Sequence, residues 1–209
     1  IGERGLWFKM SFFEGSSRVP LMISGNNIPS GLINCPVSTI DVCPTLCDIV
    51  GISMDEVKPW TQGESLLPLI NGGSRETPVM MEYAAEGSYA PMVSLRMGRY
   101  KYNHCSIDPD QLFDLEDDPN ELVNLAKDIK MSDVITKFRT LLDSNWNLSR
   151  FDEEVRRSQV RRWIVYEALR NGEYYPWDYQ PLKKASERFM RNHMDLNIVE
   201  GRRRFPRRK

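Results

Sequence analysis

The chain has 209 residues, with 28 Lys and Arg against 29 Asp and Glu, and a formal net charge of −1. This balance excludes nucleic acid or a membrane surface as a partner bound through overall charge. Hydrophobic residues form 41% of the chain, which is enough for a folded core and excludes disorder over most of its length.

The beginning of the chain carries no recognisable signal peptide. Ile1 is followed by neither a basic nor an apolar segment of the kind that directs secretion. We expect that part of the protein precedes Ile1. A cytoplasmic location is expected from its cysteines, which are described next. No apolar run approaches the roughly 20 residues that span a bilayer, so no membrane partner is predicted.

The four cysteines are Cys35, Cys43, Cys47 and Cys105. A chain of this length does not need disulfides, and we expect reduced thiols. Cys43 and Cys47 lie one helical turn apart, which suggests a metal site, but His104 and His193 are not at a ligand-like spacing from them. We predict no metal ligand in this chain.

The first third of the chain has the pattern of part of an α/β domain. Residues 2–14 mix glycines, aromatics and charges and predict neither helix nor strand, whereas the apolar run at 18–23 predicts a strand buried in a parallel sheet. Ser38 is expected to cap a helix that ends at Gly51 and packs on the sheet, with Asp41 in the capping-box position. Its apolar stripe is Ile40, Cys43, Leu46, Cys47 and Val50.

The middle of the chain predicts a small antiparallel sheet covered by a helix. Residues 59–78 favour loop with one helical turn at 66–69. Four β-prone runs follow, at residues 79–83, 92–96, 100–104 and 111–114. Gly98 marks a hairpin turn between the second and third runs. Ser132 is expected to cap the helix, whose stripe is Val134, Ile135, Phe138, Leu141 and Leu142.

The last part of the chain predicts one long helix and an extended arm. Asp152 is expected to cap a helix that runs to about Asn171 and has its inner side at Val155, Trp163, Tyr166 and Leu169. Residues 173–209 follow as an arm rich in the aromatics that interfaces favour. We expect three regions, at residues 1–75, 76–150 and 151–209.

Lys9 is the first candidate for chemistry. It stands among Trp7, Phe8, Phe12 and Phe13, where a partly desolvated ammonium would bind an anion strongly. The alternative is a surface lysine whose stem lies along apolar neighbours.

Glu82 and Glu86, beside Tyr83 and Tyr89, are a second candidate. Carboxylates and aromatic faces together bind organic cations. The alternative is a pair of solvated glutamates at the end of a strand. His104 is expected to have a structural role.

A basic run, residues 202–209, ends the chain. We interpret it as a solvated tail, or one that pairs with a neighbouring subunit. It is not predicted to bind nucleic acid, because no nucleic-acid-binding motif accompanies it.

Several stretches resemble the middle of a type I sulfatase of the alkaline phosphatase superfamily. They are GERGLWFKMSFFE at residues 2–14, RVPL at 18–21, STID at 38–41 and PT at 44–45. A signature near the C-terminal sheet of that family is similar to QLFDL at 111–115, DPNE at 118–121 and NLA at 124–126. Two further stretches resemble choline-sulfatases, a branch of the family: MEYAAEG at 81–87 and RFMRNHMDL at 188–196.

The resemblance implies an alkaline-phosphatase-like α/β fold. The chain would contain the C-terminal part of the large mixed sheet, a small antiparallel-sheet subdomain packed on a helix, and a C-terminal arm. The family's formylglycine, made from a cysteine in a Cys-x-Pro-x-Arg motif, and its calcium-binding residues lie upstream, and no cysteine of this chain stands in that motif. The chain alone is therefore expected to be inactive.

The resemblance also implies roles for individual residues. Lys9 matches the family lysine that contacts the sulfate, where a fixed cation stabilises developing negative charge. Glu86 and Trp7 are implied to bind the rest of the substrate, with Glu86 near a quaternary ammonium. Candidates for a subunit interface or the edge of the site are Trp177, Tyr179, Met194 and Asp195, since the family's C-terminal extension joins subunits of a homo-oligomer.

Three functions stay open at this point. The first is the C-terminal portion of a choline-sulfatase, which hydrolyses choline O-sulfate. The second is another sulfatase, or a phosphonate or phosphodiester hydrolase of the same superfamily. The third is a non-catalytic module for oligomerisation or for binding polyanions.

Overall fold

A computed structural model describes residues 3–5, 9–85 and 87–171 of the chain. The chain divides into two compact units, residues 1–155 and 156–209. Within the described ranges no helix combines the length and the apolar composition that a membrane crossing requires. The arm predicted at residues 173–209 lies outside the described residues.

The described residues before residue 38 contain little regular structure. After a 3-10 turn at Glu3–Gly5, the short helix α1 spans Glu14–Ser17. The strand expected at residues 18–23 is wrong: this segment is irregular, and Met22 is 91% exposed. A strand requires hydrogen bonds to a neighbouring strand, and none of the described strands pairs with these residues.

Helix α2 spans Val42–Ile49 and continues from a 3-10 turn at Thr39–Asp41. The predicted capping box is confirmed: the Ser38 hydroxyl accepts the Ile40 amide at 3.4 Å, and the Asp41 carboxylate accepts the Ser38 amide at 2.7 Å. Gly51 follows the helix with a φ of 79°, a left-handed conformation that glycine adopts without strain.

Two short helices follow α2. Helix α3 spans Met54–Val57 and leads into a 3-10 turn at Lys58–Trp60, and helix α4 spans Leu67–Ile70. The helical turn predicted near residue 66 is confirmed by α4. Helix α3 was not predicted, because its single turn is too short to show a helical period.

The buried side of α2 differs from the predicted apolar stripe. Leu46 and Val50 are exposed, whereas Asp41 and Thr45 are buried. The Thr45 hydroxyl accepts the Leu66 amide at 2.9 Å, and α2 packs against α3 and α4. Hydrogen bonding decides this orientation, because buried polar groups require partners whereas exposed apolar groups do not.

Four strands form an antiparallel sheet in the order β1-β2-β3-β4. They are β1 at Val79–Tyr83, β2 at Met92–Met97, β3 at Tyr100–Cys105 and β4 at Asp108–Asp114. All four predicted strands are confirmed, although β4 begins three residues earlier than expected. The predicted hairpin is also confirmed, since Met97 pairs with Tyr100 and Gly98 has a φ of 53°.

One face of the sheet packs against helix α5, which spans Ser132–Asn145. Leu95, Tyr102 and Leu112 pair across three strands and therefore share this face. The rings of Tyr102 and Phe138 stack with their centroids 5.6 Å apart. The buried core consists of Val93, Leu95, Tyr102, Leu112, Ile135, Phe138 and Leu142.

The prediction that a helix lies across the sheet is therefore confirmed, but its cap is different. Asp128 accepts the Lys130 amide at 2.9 Å and caps a 3-10 turn at Ile129–Met131 that precedes α5. Ser132 makes no capping contact because it is already inside the helix.

Helix α6 spans Leu148–Arg170. It begins four residues before the predicted cap at Asp152, because the Asn147 side chain accepts the Arg150 amide at 3.0 Å and starts the helix there. In the part of the second unit that the structure describes, Trp163 and Leu169 are exposed, so the expected inner side of the helix is wrong. The Trp163 and Tyr166 rings contact each other, with centroids 5.4 Å apart.

Candidate functional site

Lys9 lies in the turn that leads into α1. Its backbone carbonyl accepts the Ser11 amide at 2.8 Å and the Ser16 hydroxyl. The Lys9 side chain is exposed, so the partial desolvation expected from neighbouring aromatics is not seen. Phe13 packs elsewhere, with its ring centroid 6.0 Å from that of Phe113 on β4.

The turn from Lys9 to Ser17, called the Lys9 turn below, is closed by local hydrogen bonds. The Ser17 hydroxyl donates to the Phe12 carbonyl at 3.0 Å. The amides of Ser16 and Ser17 donate to the Phe13 carbonyl at 2.8 and 2.9 Å. Small hydroxyl residues suit this role because they bond to nearby backbone without adding bulk.

A buried cation stands behind this turn. Lys101, the second residue of β3, is fully buried. Its ammonium nitrogen lies 2.6 Å from the Phe12 carbonyl oxygen, 2.8 Å from Glu14 Oε1 and 2.5 Å from Glu121 Oε1. Glu121 is 2% exposed, and its other carboxylate oxygen accepts the Glu14 amide at 2.7 Å. We call Lys101, Glu14 and Glu121 the charge cluster.

Arg4 ties the beginning of the chain to the same place. It donates to the backbone carbonyls of Asn120 and of Glu121, the latter at 2.6 Å. Its guanidinium carbon lies 4.0 Å from the centroid of the Phe13 ring, a cation–π contact. Glu121 has a φ of 55°, and these contacts hold it in that left-handed conformation.

Arg96 adds a second cation on the same face of the sheet. It pairs with Lys101 across β2 and β3. Burial lowers the pKa of Arg96, and the opposing influence of Glu14 and other carboxylates is smaller. Two cations opposite each other repel, so carboxylates beside them are needed to stabilise this arrangement.

The charge cluster joins the two sulfatase-like signatures found in the sequence. Arg4 and Glu14 belong to the stretch at 2–14, and Glu121 belongs to the stretch at 118–121. The hydrogen bond between Arg4 and Glu121 connects residues 117 positions apart. Lys101 was not predicted, because a lysine in a strand is normally assigned to the solvent side.

A second polar cluster lies around Asp110. Its carboxylate accepts the Tyr102 hydroxyl at 2.6 Å and Arg139 Nη2 at 2.8 Å, and its Oδ1 is 2.7 Å from His104 Nδ1. Burial raises the pKa of Asp110, but these hydrogen bonds outweigh it and the net direction is downward. Burial also raises the pKa of Tyr102 to about 12. His104 therefore has a bound partner, as its expected structural role requires.

Glu82 has a hydrogen-bond partner that the sequence did not predict. Its carboxylate accepts the Trp146 indole N–H at 3.0 Å. Tyr89 is exposed. Glu86 lies outside the described residues, so the pairing of the two glutamates stays a prediction.

The remaining candidates outside the described residues are Trp7, Trp177, Tyr179, Met194 and Asp195. The four cysteines are free. Burial, followed by the neighbouring Cys43, raises the pKa of Cys47. Within the described ranges no three His, Cys, Asp or Glu side chains converge in a way that could hold a metal.

Comparisons with known proteins agree with the signatures. A family model described as "N-sulphoglucosamine sulphohydrolase, C-terminal" matches residues 2–147, and one described as "Choline sulfatase enzyme C terminal" matches residues 153–205. The choline-sulfatase of Rhizobium meliloti (strain 1021) is 59% identical over 210 residues, which cover 99% of this chain and 41% of that protein.

Two further relatives are more distant. The Delta 4,5-hexuronate-2-O-sulfatase of Bacteroides thetaiotaomicron is 34% identical over 155 residues, which cover 68% of this chain and 31% of that protein. A solved structure of a 2-O GAG sulfatase is 37% identical, with a TM-score of 0.42, over 50% of this chain and 23% of that chain.

The chain belongs to the sulfatase family, because a sulfatase family model matches residues 2–147, well over half of its length. Within the family, the chain is 59% identical to a choline-sulfatase over 99% of its residues, whereas the arylsulfatase K of Homo sapiens matches 94% of the chain at 28% identity. The chain spans less than half of the length of these curated relatives, 41% and 31%. The predicted alkaline-phosphatase-like fold class is confirmed by this family match and by the small antiparallel sheet, whereas the described residues before Val79 contain no strand of the predicted large sheet.

Proposed function

We propose that this chain forms the C-terminal part of a choline-sulfatase, which hydrolyses choline O-sulfate to choline and sulfate. The carrying observation is the 59% identity to a choline-sulfatase over 99% of this chain. The hexuronate sulfatase matches only 68% of the chain at 34% identity. The sequence match to choline-sulfatase therefore includes the arm after residue 171.

Lys9 is proposed to contact the sulfate group of the substrate. Its ammonium is exposed on a turn whose backbone is held by several hydrogen bonds, so it is accessible to an anion. Cleavage of a sulfate ester places additional negative charge on oxygen atoms in the transition state. A positioned cation at that point stabilises the transition state more than the ground state.

The choline group of the substrate requires binding groups of a different kind from those that bind the sulfate. A quaternary ammonium has no N–H donor, so a carboxylate charge and aromatic faces are the groups that can bind it. We propose Glu86 and Trp7 for this role. Residues Trp177, Tyr179, Met194 and Asp195 are proposed to lie at a subunit interface or at the edge of the site, in a homo-oligomer joined by the arm.

The nucleophile and the metal ligands are proposed to lie in the upstream part of the full-length protein. Sulfatases use a formylglycine and a divalent cation such as calcium, but the described residues offer no group of ligands for a metal. The four free thiols fit a reducing, cytoplasmic location, which is also a proposal.

A chimaera tests the proposed function. Residues 1–209 would replace the matching part of the Rhizobium meliloti choline-sulfatase, whose upstream portion is kept. We expect turnover of choline O-sulfate well above turnover of an aryl sulfate, a hexuronate 2-O-sulfate or a phosphonate ester. Preference for one of the latter would assign the chain to another hydrolase of the superfamily.

Lys9→Ala in the chimaera tests the sulfate contact. We expect kcat/KM to fall by about 100-fold or more, the usual cost of removing one group that stabilises developing charge. Lys127→Ala is the matched control, because Lys127 is an exposed lysine outside the sulfatase-like stretches. Equal activity of the two variants would reject the role of Lys9.

The non-catalytic alternative is tested on the 209-residue chain alone. Binding of an oligonucleotide with a steep dependence on salt would favour a polyanion-binding module. Absence of binding, together with an active chimaera, would exclude that function.

A further inference from the structure

The charge cluster is an unusual way to build the interior of a small sheet. Lys101, the second residue of β3, is fully buried, and Glu121 is 2% exposed. Burying an ion pair carries a desolvation cost that its mutual attraction often fails to exceed, so apolar residues of similar size would serve stability as well or better. The cluster therefore needs an explanation other than stability.

The contacts of the charge cluster with the Lys9 turn supply that explanation. The Lys101 ammonium binds the Phe12 carbonyl and the Glu14 carboxylate, which lie three and five residues after Lys9. The Glu121 carboxylate binds the Glu14 amide from the other side. The beginning of α1 is thus held both through its backbone and through its side chain.

Local hydrogen bonds carry this constraint back to Lys9. The Ser17 hydroxyl bonds to the same Phe12 carbonyl that Lys101 binds. The Ser16 hydroxyl bonds to the Lys9 carbonyl. From β3 to Lys9 there is accordingly a continuous series of hydrogen bonds through α1.

We propose that Lys101, together with Glu14 and Glu121, positions Lys9 for its contact with the sulfate, an inference that rests on the proposed function of Lys9. Lys101 is a positioning residue: it does not touch the substrate and acts through the Lys9 turn. The lysine side chain is long and flexible, so a fixed backbone at Lys9 is what limits the region that its ammonium samples. A displacement of about 1 Å at a reacting group can lower the rate by about 100-fold.

The small sheet thereby acquires a role in the reaction. Its apolar face holds α5, and its charged face holds the Lys9 turn at a set position. Glu14 is tied to the loop at 118–121 by Glu121, and Arg4 is tied to the same loop by its bonds to Asn120 and Glu121. The stretches at residues 2–14 and 118–121 therefore act together to hold the Lys9 turn against the sheet.

Lys101→Met is the first test, in the chimaera and in the 209-residue chain. Phe138→Leu is the matched control, because Phe138 of α5 packs against Tyr102 on the opposite face of the sheet from Lys101. For folded chimaera, we expect Lys101→Met to lower kcat at least tenfold with a smaller change in KM, and Phe138→Leu to change kcat less than twofold.

Hydrogen exchange supplies a readout that does not depend on activity. In the 209-residue chain, Lys101→Met is expected to accelerate exchange of the amides at residues 11–18 at least tenfold relative to Phe138→Leu. Equal exchange in the two variants would overturn the inference. An inactive chimaera, or full activity of Lys9→Ala, would instead count against the proposed function, and the exchange measurement would still show whether the charge cluster holds the Lys9 turn.

Ser16→Ala is the second variant, chosen because it leaves no buried charge without a partner. It removes one bond to the Lys9 carbonyl in an exposed position, so the chain should fold as before. We expect kcat to fall about two- to fivefold with an unchanged unfolding midpoint. Unchanged kcat in both Ser16→Ala and Lys101→Met would overturn the inference.

Discussion

The two faces of the small sheet are built from different kinds of interaction. On one face, Leu95, Tyr102 and Leu112 pack against Phe138 and its neighbours on α5. On the other face, Lys101 donates hydrogen bonds to Phe12 and Glu14 of the Lys9 turn, and Glu121 accepts one from the Glu14 amide. Apolar packing is roughly proportional to buried area and is not directional, whereas hydrogen bonds between charged groups fix distances and angles. The difference indicates that one face supplies stability and the other supplies position.

Truncating the apolar face should have the largest effect on stability. Phe138→Ala removes a ring that is stacked on Tyr102 and 1% exposed. We expect the free energy of unfolding to fall by about 3–5 kcal/mol, from lost burial and the cavity left behind. Urea denaturation of the 209-residue chain measures it. A loss smaller than that of a charge-cluster variant would contradict the assignment of stability to this face.

Neutralising the charged face should have a smaller effect. Glu121→Gln keeps the size of the side chain but removes the charge that faces Lys101. We expect a loss of about 1–3 kcal/mol, because the Lys101 ammonium keeps its bonds to Phe12 and Glu14.

The same urea experiment checks this variant, with Glu116→Gln as an exposed control. Amide exchange in the Lys9 turn should increase in Glu121→Gln and not in the control. Exchange that increases equally throughout the sheet would indicate that the cluster has no special connection to Lys9.

The smallest expected effect is a dependence of stability on pH. The pKa of Asp110 lies below its ordinary value in the folded chain, mainly because the hydrogen bonds from Tyr102, Arg139 and His104 outweigh burial. The stabilisation is therefore complete above the ordinary pKa of an aspartate. It is lost as the pH falls below that value and through the lowered pKa of the folded state.

Urea denaturation from pH 7 to pH 3 should show this loss, and Asp110→Asn should lose less on acidification than the unaltered chain. Asp114 contributes a similar slope, because the hydrogen bond from Arg99 and two backbone amides lower its pKa despite burial. The comparison between variant and unaltered chain isolates Asp110. Identical slopes would show that the Asp110 contacts do not persist in solution.

Local patterns predicted most of the small subdomain. Strands β1 to β4 follow alternating β-prone runs, and the turn at Gly98 has the residue that a positive φ requires. The stripe of α5 is correct because three of its positions, Ile135, Phe138 and Leu142, enter the core. These signals are local, and the contacts that satisfy them are made by neighbouring elements.

The errors arose where a distant partner decides the outcome. The run at 18–23 has the composition of a buried strand, yet none of the described strands pairs with it. Helix α2 has its polar side inward. Asp41 is bonded to Glu64 and Arg75, and Thr45 is bonded to Leu66, more than 20 residues further along the chain. Composition alone does not show such partners.

The sequence by itself determined the family, the antiparallel sheet with its covering helix, and Lys9 as the candidate that contacts the sulfate. Only the tertiary structure showed that Lys101 is buried and that Glu14 and Glu121 meet around it. Glu14 and Glu121 are 107 positions apart. Charges so far apart along the chain have no local signal, and their attraction becomes strong only after folding removes water from between them.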